Sequence, residues 1–125
     1  QVKVGHCDFD KLNIIGLEIP ENAIIFTSYS VHYVPALKKK FVDFIYKLKP
    51  KVVVHFEPCY EYFDSHTLHG LMCKRYMELN GYTQNIASGI EAGCLEIGAK
   101  FEVDRNLFGS NPFLPLSIIQ WTPQY

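Results

Sequence analysis

The chain has no surplus of charge of either sign. Its 12 lysines and arginines offset 13 aspartates and glutamates to a formal net charge of -1. The charges are scattered rather than gathered in blocks, so bulk electrostatics give it no hold on nucleic acid. No apolar run approaches the roughly 20 residues that cross a bilayer, and the opening residues do not follow the basic, apolar, small-residue order of a secretory leader. A cytoplasmic chain with no membrane partner is the expectation. Paired cysteines are missing as well: Cys7, Cys59, Cys73 and Cys94 stand far apart with no C-x-x-C among them. Reduced, mostly buried thiols are therefore expected. His66 and His69 stand close together, with His55 and Cys59 before them, but a structural zinc would ask for tighter knuckles, and no metal is expected. An initial methionine is absent too. Gln1 leads directly into an extended apolar stretch, and the expectation is that a preceding segment has been removed.

What is present is enough apolar matter for a core. At 48% hydrophobic over 125 residues, the chain reads as one folded α/β domain spanning residues 1–125. Val2 to Cys7 alternates like a short strand ending in an Asp8-Phe9-Asp10 loop. Ala23 to Phe26 and Val52 to Phe56 are unbroken apolar or β-branched runs, as strands of a parallel sheet covered on both faces are. Between them Pro35 can open a helix whose Leu37, Phe41, Phe44, Ile45 and Leu48 share a face, with Lys38, Lys39 and Lys40 in solvent and Pro50 at its end. Ser65 is placed to cap a longer helix with the apolar stripe Leu68, Leu71, Met72, Tyr76 and Leu79, stopping near Asn80-Gly81. Thr83 is placed to cap a shorter one in which Ile86 and Ile90 face inward and Gly93 closes the helix. Lys100 to Phe108 and Leu116 to Trp121, separated by Gly109-Ser110-Asn111-Pro112, read as an antiparallel pair at the sheet's edge. The expectation is an open three-layer sheet, Rossmann-like and mostly parallel, closed by a C-terminal antiparallel β-hairpin.

Three segments carry a resemblance. Val4-Gly5-His6-Cys7-Asp8-Phe9, the stretch from Ala23 to Pro35, and Lys49-Pro50 through Val52-Val53-Val54-His55-Phe56 to Glu57-Pro58 are similar, in order and spacing, to the third-, fourth- and fifth-strand motifs of class I S-adenosylmethionine-dependent methyltransferases. A helix followed by a closing hairpin resembles the end of that fold, whose last strand runs antiparallel to the others. His-Phe-Glu-Pro followed later by Leu-Phe-Gly-Ser-Asn-Pro-Phe-Leu-Pro-Leu-Ser-Ile-Ile-Gln-Trp looks most like sugar O-methyltransferases of bacterial surface-polysaccharide pathways. The chain departs from the family in having no glycine-rich first βα turn and no acidic residue ending a second strand, the two features that hold the donor's methionine moiety and ribose. The resemblance therefore implies the acceptor-side, C-terminal half of such an enzyme, inactive alone. Its open sheet edge, at the first strand, invites a homodimer.

Ligands of open α/β sheets sit beyond the carboxyl ends of the strands, which selects a short list. Asp8 is the adenine contact that the resemblance implies, or else a turn or cap residue. Ser28, Tyr29, His32 and Tyr33 follow the second strand, where donor sulfur would meet acceptor hydroxyl. His32 is the candidate base for the hydroxyl proton, because histidine is the residue type whose unperturbed pKa best suits that task, or it packs and hydrogen-bonds only. Glu57, Tyr60 and Glu61 follow the third strand. Glu57 could orient a sugar, act as the base in place of His32, or pair with Lys51 or Arg75. His55, inside the strand, reads as a hydrogen-bonded core histidine. Asn111, in the last turn, can both donate to and accept from sugar hydroxyls, or simply make the turn. The alternative to an enzyme is a non-catalytic α/β module for scaffolding or dimerisation.

Overall fold

The computed structural model describes residues 1–107 and 109–125. It opens with a two-stranded antiparallel ribbon, His6–Asp8 (β1) against Asn13–Ile15 (β2). This corrects the expectation that the first strand joins the main sheet in parallel and offers it an open edge. The cause is local: the Asp8 carboxylate accepts from the Asp10 and Lys11 backbone N–H groups at 2.9 Å each, and Leu12 takes φ 55°. A carboxylate-nucleated turn of this kind reverses the chain before any distant strand can pair with it.

The main sheet has four strands. Ile24–Ser28 (β3) pairs in parallel with Val52–Glu57 (β4), Thr27 opposite His55. Lys100–Leu107 (β5) and Leu116–Thr122 (β6) are antiparallel to each other, with a register shift between Asp104 and Leu107. β6 lies antiparallel to β4 as well, so the order is β3-β4-β6-β5. Hence β3, β4 and β5 point one way and β6 alone is reversed. The architecture is α/β with a mixed sheet. The end of the expected strand at Phe108 lies outside the described residues.

Three helices join these strands. Phe41–Tyr46 (α1) is shorter than the expected helix from Pro35, because the Asn85 amide binds both the N–H of Leu37 (2.8 Å) and its carbonyl (3.4 Å) and so holds that segment out of helix. Leu68–Leu79 (α2) is capped by Thr67, whose hydroxyl accepts from Gly70 N–H at 3.0 Å, rather than by Ser65. Ile86–Ile97 (α3) runs through Gly93 and stops at Gly98, at φ 67°. Gly93 does not end the helix. A Cβ there would stand 2.6 Å from the Val42 side chain, so the glycine permits the close crossing of α1 and α3.

The core lies on one face of the sheet. Val53, Ile119 and Trp121 pack there beneath Phe41, Val42 and Ile45 of α1 and Ile86, Ile90 and Cys94 of α3. The opposite face carries Ile24 at 66% and Phe26 at 67% exposure, with half-buried Val52, Val54, Phe56 and Ile118 beside them. The expected third layer is therefore not found among the described residues: both α1 and α3 return along the same side. Nor does α2 cover the bare face. It buries Cys73 and Met77 against Phe63 and Leu114, with Tyr76 of the expected stripe half-buried beside them, while the stripe's Leu68, Leu71, Met72 and Leu79 point outward, Leu68 being 75% exposed. Among the described residues no helix is long and apolar enough to cross a membrane.

Candidate functional site

β3 and β4 end side by side, and the loop after β3 is tied to the last residues of β4. Past Ser28 the chain turns sharply at Tyr29, a non-glycine residue at φ 47°, which is a strained position that its surroundings must hold. The Tyr29 N–H donates to Phe56 O at 3.0 Å and its hydroxyl to Leu114 O at 3.1 Å. A short 3-10 turn, Val31–Tyr33, then places His32 against the last residue of β4, Glu57.

Glu57 is wholly buried. Its carboxylate accepts from Ser30 N–H at 3.1 Å, Val31 N–H at 3.1 Å and the Ser30 hydroxyl at 3.3 Å, and His32 Nδ1 lies 3.2 Å from Oε2. Burial pushes its pKa up, but hydrogen bonds from His32, Val31 and Ser30 outweigh this and hold it below the ordinary glutamate value. An ionised carboxylate can only accept, so His32 carries a proton on Nδ1, and in the neutral ring the lone pair is at Nε2. Among the described residues no lysine or arginine pairs with Glu57, and Arg75 pairs with Glu78 instead. The charge is held by dipoles and an imidazole N–H alone.

His32 is 1% exposed and sits in an aromatic cage. Tyr33 lies over it at 4.3 Å between ring centroids, and Tyr82 and Tyr29 meet it edge-on at 4.7 Å and 6.0 Å. Thr83, expected to cap α3, is recruited here instead: its hydroxyl donates among the carbonyls of Val31, His32 and Val34, and its N–H donates to His32 O at 2.9 Å. Among the described residues His32 Nε2 has no hydrogen-bond partner. Burial first, then the nearby Glu57 charge, raises the Tyr29 phenol pKa above its ordinary value, so this tyrosine remains a neutral donor.

The fold thus brings together four residues nominated from sequence: His32, Glu57, Tyr29 and Tyr33. The others are engaged elsewhere. Asp8 makes the turn of the ribbon. Ser28 is exposed and alternates onto the bare face with Phe26. The Tyr60 hydroxyl donates to Glu78 at 2.7 Å. Glu61 accepts from the N–H groups of Ala87 (3.2 Å) and Ser88 (2.7 Å), capping α3. Asn111 Oδ1 accepts from Phe113 N–H at 2.9 Å, making its own turn. Tyr82 and Thr83 complete the site, and the sequence does not nominate either for it. No residue pattern near them marks their role, which arises from contacts tens of positions away.

The arrangement can do one kind of chemistry: a carboxylate orients and charges up an imidazole whose other nitrogen is free to take a proton. No family model, curated protein or solved structure matches the chain.

Proposed function

We propose that this chain is the acceptor-side half of a class I S-adenosylmethionine-dependent O-methyltransferase working in the cytoplasm on a sugar hydroxyl, with His32 as general base and Glu57 as the group that orients it. One observation carries the reading: a buried carboxylate–histidine pair, with its outer nitrogen free, at the carboxyl ends of two adjacent parallel strands, the place where open α/β sheets hold ligands. The sheet order supports it, because the single reversed strand is the last one, as the resemblance implies. So does the bare apolar face of β3 and β4, which is the side a further layer of the same fold would cover.

The donor-side residues fit S-adenosylmethionine only in part. Asp8 uses Oδ1 for its own turn, and the glycine-rich turn that would hold the methionine moiety is not among these residues. When bound, the donor would supply an electrophilic methyl on a sulfonium. This chain's contribution is the base. His32 Nε2 takes the hydroxyl proton as the acceptor oxygen attacks, and Glu57 stabilises the imidazolium that results, a role for an oriented base typically worth about 100- to 10,000-fold in rate. Tyr33, 65% exposed and lying over the imidazole, is the ring on which a sugar face would stack or which it would displace. The test is binding of S-adenosylmethionine and transfer of its labelled methyl to saccharides by the full gene product. Absence of both overturns the reading.

A second reading, a non-catalytic scaffold or homodimerisation module, is favoured by the unpaired outer edge of β3 and the exposed Ile24 and Phe26 beside it. In that case Glu57 serves only to pin the loop after β3.

A further inference from the structure

We infer that Thr83 is a positioning residue for His32, gripping the carbonyls of the turn whose N–H groups Glu57 holds and so fixing the imidazole from the backbone side; this rests on the reading of His32 as the base. The turn after β3 is bound from two directions. On the β4 side the Glu57 carboxylate takes the N–H groups of Ser30 and Val31, each at 3.1 Å, together with Nδ1 of His32 itself. A carboxylate only accepts, so it can do nothing for the carbonyls of the same turn. Thr83 supplies donors from the other side. Its N–H reaches His32 O at 2.9 Å, and its hydroxyl stands within reach of Val31 O and His32 O, at 3.3 Å each, and closest to Val34 O. One hydroxyl proton is thus shared among three carbonyls that converge on it.

Thr83 is itself firmly placed. It is wholly buried in the short connection between α2 and α3. It follows Gly81, at φ 66°, and Tyr82, whose N–H donates to Met77 O at 3.0 Å. Tyr82 also lays its ring edge-on against His32 at 4.7 Å. The connection therefore touches His32 twice, once at the ring and once at the backbone. The turn needs a hold on both its N–H and its carbonyl side, because it begins immediately after Tyr29 at φ 47°, a conformation that persists only while its surroundings over-determine it. Releasing the carbonyl side would let the turn relax and carry the imidazole off the Glu57 carboxylate. A base displaced by about 1 Å loses its alignment with the proton it takes.

The test compares the original protein with Thr83→Val, which keeps the shape and removes the hydroxyl, and with Thr83→Ser, which keeps the hydroxyl. Proton exchange with solvent is read by 1H–15N NMR at three places that bind Glu57: the Ser30 and Val31 amides and the His32 Nδ1 proton. The Ile119 amide in β6 is the reference for opening of the whole sheet. The valine variant is expected to exchange at the three turn positions at least about tenfold faster, relative to Ile119, than the original protein, and the serine variant at the original rate. Exchange that is unchanged at the turn, or that rises there no more than at Ile119, overturns the inference, since Thr83 would then be idle or a general stabiliser. If Thr83→Val does not fold, the Thr83 hydroxyl proton of the unsubstituted protein decides. It is expected to be protected from solvent and to show nuclear Overhauser contacts to the Val31–Val34 turn, and a freely exchanging hydroxyl overturns the inference. Where the full gene product transfers methyl groups, Thr83→Val should also lower kcat by about 10- to 100-fold with the donor's KM unchanged, and an unchanged kcat overturns the inference too. The exchange signals are read whether or not methyl transfer occurs, so failure of Thr83 as a positioning residue and failure of the methyltransferase reading are told apart.

Discussion

His32 Nδ1 lies 3.2 Å from Glu57 Oε2 across the ends of two parallel strands, with no lysine or arginine paired to that carboxylate among the described residues. A buried anion held only by N–H and O–H dipoles is sensitive to loss of charge. Glu57→Gln puts an amide N–H₂ where Ser30, Val31 and His32 all donate, so it is expected to cost at least about 2 kcal/mol in urea unfolding. An unchanged midpoint would mean the carboxylate is not ionised in place.

His55 makes stability fall on the acid side. Its pKa drops from 6.5 to about 4 on folding because burial disfavours the charged ring. Between those values the unfolded chain binds a proton that the folded chain refuses, so stability decreases as pH falls from 6.5 to 4, by about 3 kcal/mol at the lower end. Glu57, also depressed, acts in the same direction at lower pH: its contribution is present above the unfolded carboxyl pKa and is lost as pH falls through the folded one. Urea midpoints at pH 7, 6, 5 and 4 measure the slope, and His55→Gln is expected to flatten its upper part.

Tyr33 shields His32. Tyr33→Ala removes the ring lying over His32, and modification of His32 by diethyl pyrocarbonate, followed by mass spectrometry, is expected to speed up several-fold, because that reagent attacks the bare nitrogen. An unchanged rate would place the shield at Tyr82 or Tyr29 instead.

The two faces of the sheet should respond differently to substitution. Ile119→Ala on the covered face is expected to cost about 3 kcal/mol, whereas Phe26→Ser on the bare face should cost under about 1 kcal/mol in this chain. At the helix crossing, Gly93→Ala pushes a methyl into Val42 and should cost about 1–3 kcal/mol, part of it recovered by adding Val42→Ala. Thermal or urea unfolding measures all of these.

Much of the sheet is legible in the sequence, because Ala23 to Phe26, Val52 to Phe56 and Leu116 to Trp121 carry β-branched and apolar residues that favour strands wherever they pair. His32 and Glu57 can be nominated because both follow strand ends. The stripe of α2 cannot be placed: spacing says that Leu68, Leu71, Met72, Tyr76 and Leu79 share a face, but not that only Tyr76 finds something to lie against. The ribbon is hidden because a single carboxylate, Asp8, decides it. Glu61 reads as a ligand-facing residue in sequence because its partners, the N–H groups that open α3, lie 26 and 27 positions away. His55 is legible as a hydrogen-bonded core histidine, but its partners Thr27 and Trp121, 28 and 66 positions away, are not.

The most direct measurement compares kcat for methyl transfer by the full gene product with that of His32→Ala, after circular dichroism has established that the variant is folded. Removal of the base should lower kcat by about 100- to 10,000-fold while the donor's KM stays unchanged. A folded variant that transfers methyl groups at the original rate would contradict the assignment of His32 as the base.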